Sequence, residues 1–343
     1  MIADPELIRA AKKIHLRYIS DNIEGVKRIR KHKGFKYLDP NGVVIRNLNE
    51  IERINKLAIP PAWKNVWISP YTHSHLQATG YDKKGRKQYV YHEDWIKLCS
   101  EDKFNRIVDF AKKLPEVRAC IAGHLNSKSL DKKRVIATII WLLEHTFIRV
   151  GNDEYAQAND SFGLTTLRNR HIRLRGSNIK FEFRGKSGID HLVAVNHPLI
   201  AKTLKKCIEL PGYELFKCVD DKGNKHIIDS GDVNLFLKEI TGEETTAKEF
   251  RTWGGTVLAA TSLNKLGAFE DAETENINIA TTVKEVSKHL RNTPDVCKKY
   301  YIHPTVIHTY SKNILIPHFE KSYGKKPGMR TDEYKVLTLL ERY

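Results

Sequence analysis

Two adjacent tyrosines, Tyr300 and Tyr301, close the helix-like part of RNTPDVCKKYYIHP at residues 291–304. A phenol can attack a phosphodiester, but only with help. Its pKa lies near 10, so it must lose a proton, and charge builds on the non-bridging oxygens during attack. Fixed cations stabilise that charge, and arginine's planar fork suits the task best. A departing 5′ oxygen needs a proton, which a lysine or histidine on a positioned element can deliver. Residues of these types are present: Arg149 in HTFIRVGNDEY, Lys186 at the tip of FRGKSG, and Arg251 in AKEFRTWGG. Taken singly, each also fits a solvated or salt-bridging base, and two tyrosines fit ordinary packing at a core boundary.

The elements that must hold these residues can be read from the flanking sequence. Thr293 suits an N-cap, Pro294 the first helical position and Asp295 the positive helix start. The pattern predicts a helix to about Ile302, stopped near Pro304. Tyr300 and Tyr301 then differ by about 100° around the axis. Val296 lies four residues before Tyr300 and Cys297 four before Tyr301, so periodicity does not choose between them.

Upstream, residues 1–95 read as a β-rich unit behind a short helix. FKYLDPNGVVI predicts a hairpin turning at Pro40-Asn41-Gly42, and HLQATGYDKKGRKQYVYH another, centred on Gly85. In its second arm Gln88, Tyr89, Val90 and Tyr91 alternate faces. Helical periodicity takes over near residue 97, interrupted by a β insert at HIRLRGSNIKFEFRGKSGIDHLVAV. Helices resume after Pro198. The reading is an α+β chain of two domains, 1–97 and 98–343.

Bulk composition narrows the partners. Lysine plus arginine reach 58 against 41 acids, a net charge of +17 in 343 residues. A folded protein this basic most often meets a polyanion. There is no apolar run long enough to predict a membrane span, and the N-terminus lacks the layout of a secretory signal. The five cysteines are scattered and form no C-x-x-C pair, and H-E-x-x-H is absent. Neither a disulfide framework nor a metal site is expected, His73 and His75 included, and a reducing compartment follows.

Six segments occur in order: INKLAIPPAWKNVWIS, GYDKKGRKQYVYH, FIRVGNDEYAQANDSFGLTTLRNRHI, FRGKSG, KEFRTWGG and NTPDVCKKYY. Together they resemble the type IB DNA topoisomerases in the compact form found in poxviruses and bacteria. The resemblance runs from GFKYLDPNG to YYIHP. It implies a small β-rich domain and a larger, mainly α catalytic domain of the topoisomerase IB and tyrosine recombinase type. In that family the nucleophile lies nine residues after a polar residue in a T-P context, and counting from Asn292 reaches Tyr301. Tyr301 would form a 3′-phosphotyrosyl bond. Arg149 and Arg251 would stabilise the transition state, Lys186 would be the general acid, and Asn292 would bond a non-bridging oxygen. Histidine is usual at the last position in poxviral and eukaryotic members, and asparagine can donate there but cannot titrate. Tyr155 and Lys248 match positions that bind DNA near the scissile phosphate. Gln88, Tyr89 and Tyr91 match residues that approach the major groove.

The implied enzyme relaxes supercoiled duplex DNA as a monomer without ATP or a metal, in the cytoplasm. Two alternatives share features with it. A tyrosine recombinase has the same catalytic set but usually carries histidine shortly before the second arginine, where this chain has Lys248. A DNA-binding module that has lost cleavage would keep the clamp alone.

Overall fold

A computed structural model describes residues 5–220, 222–242 and 245–343, with the side chain of Tyr155 outside that description. The chain forms two compact units that divide between Lys103 and Phe104.

In the first unit, helix α1 (Pro5–Lys13) precedes strands β1 (Val26–Arg30) and β2 (Phe35–Leu38), helix α2 (Leu48–Lys56), and strands β3 (Lys64–Ile68), β4 (Leu76–Tyr81) and β5 (Lys87–Tyr91). The strands form one antiparallel sheet in the order β2-β1-β3-β4-β5. Its core is Val26, Ile54, Val66, Ile68 and Ala78. Helix α2 starts where Asn47 Oδ1 accepts from the amides of Asn49 (3.0 Å) and Glu50 (3.3 Å).

The hairpin expected around Gly85 is present, with Gly85 at φ +74° and Tyr89 opposite Thr79. The one expected around Gly42 is not a paired strand hairpin. The turn forms, but only an isolated bridge between Leu38 and Val44 follows it. Strand β2 pairs instead with β1, through a turn closed by Lys31 N–H to Gly34 O at 3.1 Å. His75 is buried, stacks on Tyr18 at 4.0 Å, and accepts from Ile19 N–H at 3.2 Å.

Helix α3 (Glu93–Leu125) runs across the division between the units and continues through Pro115. The second unit then contains α4 (Lys132–Thr146), α5 (Asp153–Asn159), the sheet β6 (Ile172–Arg175), β7 (Asn178–Arg184) and β8 (Asp190–Asn196), and α6 (Pro198–Glu209). A short antiparallel pair, β9 (Lys217–Val219) and β10 (Lys225–Ile227), interrupts what the sequence pattern predicts as an all-helical tail. Helices α7 (Ser230–Thr241), α8 (Ala247–Leu266), α9 (Ala272–Leu290), α10 (Pro294–Tyr300), α11 (Pro304–Ser311), α12 (Leu315–Glu320) and α13 (Thr331–Arg342) complete it.

The core of this unit is built on α4 and α8. From Arg134 to Leu143 every residue of α4 except Trp141 is buried. Phe250, Trp253, Val257, Ala260 and Leu263 of α8 face the same core. The β insert follows its period: Ile179, Phe181 and Phe183 of β7 point inward while the residues between them are exposed. No helix among the described residues is long and apolar enough to cross a membrane.

The C-terminal helix is fastened by a buried charge. Glu333 is 0% exposed and accepts from Arg118 Nη1 and Nη2 at 2.8 and 2.7 Å, and from Arg330 N–H at 3.0 Å. Trp253 Nε1 also donates to it at 3.4 Å. Burial works to raise its pKa, but bonds and charge from Arg118 and Arg330 outweigh that and hold it below the usual carboxylate range. Without Glu333, Arg118 keeps Glu144, to which its Nε and Nη2 donate at 2.8 and 2.5 Å, but loses a second, fully buried carboxylate. Glu333→Ala is expected to cost about 1–3 kcal/mol of stability, measured as the shift in denaturant midpoint of the full chain.

Candidate active site

The end of α10 separates the two tyrosines. Thr293 Oγ1 accepts from Val296 N–H at 3.4 Å and starts the helix, and buried Cys297 anchors it. The helix ends at Tyr300, two residues short of the expected Ile302, because Tyr301 takes φ −130° and leaves the helical path. Its N–H still bonds Cys297 O at 2.9 Å. Tyr300 remains on the helix, 40% exposed, while Tyr301 packs against the core of the second unit.

Arg251 lies under the Tyr301 ring, its Cζ 5.2 Å from the ring centroid. Helix α8 brings it there from a capping box in which Thr246 N–H donates to Glu249 Oε2 at 2.9 Å. Arg251 is 3% exposed. Nη1 donates to Phe147 O, Nη2 donates to Leu290 O at 2.8 Å, and Nε is buried with no partner. Those carbonyls end α4 and α9, where helix ends leave acceptors unfilled. Burial, then repulsion from Arg149, pushes the Arg251 pKa down to about 10, so it stays charged at pH 7.

Two glycines let these parts meet. A Cβ on Gly254 would overlap the Phe147 ring, and one on Gly255 would lie 2.6 Å from Tyr301 O. Thr256 finishes the seat, donating to Tyr301 O at 3.4 Å and accepting from His303 N–H at 3.1 Å.

Arg149 follows α4 after Phe147, which ends that helix in the left-handed region at φ 54°. Its carbonyl accepts from Leu164 N–H at 2.9 Å, and Nη2 donates to Asn292 Oδ1. Asn292 in turn donates its backbone N–H to Ser287 O at 3.1 Å, and its Nδ2 is buried without a partner. The site thus holds two buried donors with nothing to donate to, Arg251 Nε and Asn292 Nδ2, within a cluster that also contains Arg149 and Tyr301. Such a set fits an anion.

The charges act on the phenol. Burial raises the Tyr301 pKa, but Arg251, by charge and hydrogen bond, with Arg149 and Lys248, turns the net shift downward. Burial pushes the neighbouring Cys297 thiol up to about 11, so it stays protonated and does not compete as a nucleophile.

Residues 94–323 match the family profile described as eukaryotic DNA topoisomerase I, catalytic core. Residues 34–82 match that of the bacterial DNA topoisomerase IB N-terminal domain. The chain is 34% identical over 300 residues to DNA topoisomerase 1B of Acanthamoeba polyphaga mimivirus, covering 85% of this chain and 89% of that one. It is 23% identical over 256 residues to DNA topoisomerase 1B of vaccinia virus (strain Copenhagen), covering 74% and 78%. The chain belongs to the type IB DNA topoisomerases.

The remaining candidates of this type IB chain lie on separate elements. Lys186 is exposed at the tip of the β7–β8 hairpin, in a turn where Gly188 N–H bonds Gly185 O at 3.0 Å and Ser187 has φ 66°. Arg291 ties that hairpin to the cluster, donating to Leu192 O at 3.2 Å one residue before Asn292. Lys248 is exposed in the first turn of α8, close enough to act on Tyr301. Tyr155 belongs to α5, but its side chain lies outside the described residues. In the first unit, Tyr89 and Tyr91 are 48% and 38% exposed, and their rings stack at 6.0 Å. They are a surface pair rather than core residues. Gln88 Nε2 donates to Asp82 Oδ2 at 3.2 Å.

Sequence reasoning missed Arg291 and the two glycines as parts of the site. The glycines were visible in RTWGG, but their use depends on two distant segments arriving together.

Removing a cation that lowers a pKa raises it. Titration of protein labelled with 13Cζ-tyrosine, assigned with Tyr301→Phe, is expected to place Tyr301 below 10, and Arg149→Ala is expected to move it upward.

Proposed function

We propose that the chain relaxes supercoiled duplex DNA by transesterification at Tyr301. The phenolic oxygen attacks phosphorus, the Tyr301 Oη–P bond forms and the P–O5′ bond breaks. The phenolic proton leaves to solvent, and Lys186 Nζ gives a proton to the 5′ oxygen. Arg149 and Arg251 stabilise the charge on the non-bridging oxygens, and Asn292 Nδ2 donates to one of them. The free 5′ end swivels about the intact strand. It then attacks the phosphotyrosine and restores the original bond. One phosphoester replaces another at each step, so the sequence of reactions calls for no ATP.

One observation carries this reading: Tyr301 sits over a buried guanidinium whose Nε, like Asn292 Nδ2, is a donor without a partner. The net charge of +17 fits a polyanionic duplex. Lys248, Tyr155, Gln88, Tyr89 and Tyr91 are the proposed DNA contacts, with tyrosine and amide groups suited to phosphates and base edges. We place the enzyme in the cytoplasm as a monomer on its DNA, where its five free thiols stay reduced.

The test is relaxation of a supercoiled plasmid in EDTA without ATP. Wild type and Tyr300→Phe are expected to relax it, and Tyr301→Phe to leave it supercoiled. Denaturant added during turnover should trap wild-type protein covalently on nicked plasmid. Arg251→Ala should slow cleavage by about 10²–10³-fold. Relaxation by Tyr301→Phe, or its loss in Tyr300→Phe alone, would overturn the assignment.

A further inference from the structure

The β7–β8 hairpin carries a residue that the reaction above does not use. His191 lies opposite Phe183 in the ladder, and the two rings stack with centroids 4.6 Å apart at 27°. His191 is 4% exposed, and neither of its ring nitrogens has a hydrogen-bond partner. An unpartnered buried polar group costs roughly 1–3 kcal/mol. Stacking alone therefore does not account for an imidazole at this place.

Its other neighbour is Gly185. A Cβ there would overlap the His191 ring at Nε2 and Cδ2. Gly185 has φ −97° and ψ −170°, a conformation open to any residue, so it is the ring and not the backbone that demands glycine. Gly185 is also the residue from which Lys186 springs. Its N–H bonds Ile189 O at 2.8 Å and its carbonyl accepts from Gly188 N–H at 3.0 Å, closing the turn. On the other side, Leu192 carries the bond from Arg291 that ties the hairpin to the Asn292 segment. His191 thus lies between the base of the Lys186 turn and the point where the hairpin is fastened.

Burial, then the charges of Arg291, Arg149 and Arg251, pushes the His191 pKa down to about 4. The ring is neutral at pH 7 and holds no acidic proton for a leaving oxygen. It touches the segment of the proposed acid at Gly185.

We infer that His191 is a positioning residue for Lys186: wedged between Phe183 and Gly185, its ring sets the seat of the turn that delivers the proton to the 5′ oxygen. The inference rests on the reading of Lys186 as general acid.

A 5′-bridging sulfur substrate separates the two ideas. A thiol has a pKa of about 8.5, so a thiolate leaves without a proton from the enzyme. Defects in proton delivery vanish on sulfur, whereas defects in Tyr301, the arginines or the fold persist. Single-turnover cleavage by the full chain is measured on duplexes built around a site mapped with this protein, with oxygen or sulfur at the scissile bond. Lys186→Ala is expected to slow the oxygen substrate by about 10²–10⁴-fold and to cleave the sulfur substrate at nearly the wild-type rate. His191→Ala is expected to lose on the order of 10–100-fold on oxygen, the scale of an ångström misplacement, and to match wild type on sulfur. Gly185→Ala presses on the same ring and should show the same selective loss. It should add little in the His191→Ala background, where the overlap is gone. Equal slowing of His191→Ala on both substrates, or wild-type rates on both, would overturn the positioning role. If sulfur does not recover Lys186→Ala, the acid assignment falls first, and the inference falls with it.

Discussion

A guanidinium held in the protein core by two helix ends organises this catalytic unit. Arg251 donates to Phe147 O and Leu290 O, which close α4 and α9. Helix C-termini carry partial negative charge, so the same two bonds satisfy orphan carbonyls and offset part of the cost of burying a cation. Each end then leads directly into a residue proposed to bind the phosphate. Two residues beyond Phe147 comes Arg149, and two beyond Leu290 comes Asn292, and those two side chains bond each other. The third nitrogen, Nε, is buried without a partner.

The rest of the site follows from close approach. Two segments distant from α8 and from each other in sequence reach it at adjacent residues, with Phe147 over Gly254 and the Tyr301 carbonyl over Gly255. Side chains there would hold those segments apart. The cost of two glycines inside a helix is about 1 kcal/mol each, and α8 offsets it by burying its own Phe250, Trp253, Val257 and Leu263. Tyr301, the proposed nucleophile, and Arg251 beneath it are therefore placed by backbone contact and not by long flexible linkers. Lys186 differs: it stands exposed on a turn, and its placement depends on what supports that turn.

Much of this was legible in the sequence, for identifiable reasons. Thr293-Pro294 marked the start of α10, and the β insert announced itself by strict alternation in IKFEF. The six ordered segments pointed to the family and, through it, to Tyr301. What escaped were features decided by tertiary contacts. VKRIR is too basic to advertise a strand, yet it becomes β1 because β2 and β3 flank it. The turn at Asp39-Pro40-Asn41-Gly42 forms as written, with Asp39 Oδ1 accepting from Val43 N–H at 2.8 Å, but Val43 and Val44 are exposed and have no apolar layer to extend a ladder. Tyr301 leaves the helix to meet Arg251, so the 100° argument, which assumed one continuous helix, could not tell the tyrosines apart. The pairing of orphan donors in Arg251 and Asn292 is a property of three dimensions and has no sequence signature.

Glu333 has a mechanical meaning as well as a thermodynamic one. Under the proposed reaction, DNA hangs by a single ester from Tyr301 while the free end turns. The part of the load that the ester carries enters the protein at that residue. Tyr301 is not on a tether. Its carbonyl is seated on α8, and α8 is bonded through Trp253 to Glu333, which Arg118 joins to α3. The chain beyond the nucleophile thus works as a buttress: a load applied at the phosphotyrosine is passed through α8 to a crosspiece of buried charge, so the anchored strand end stays registered while its partner spins.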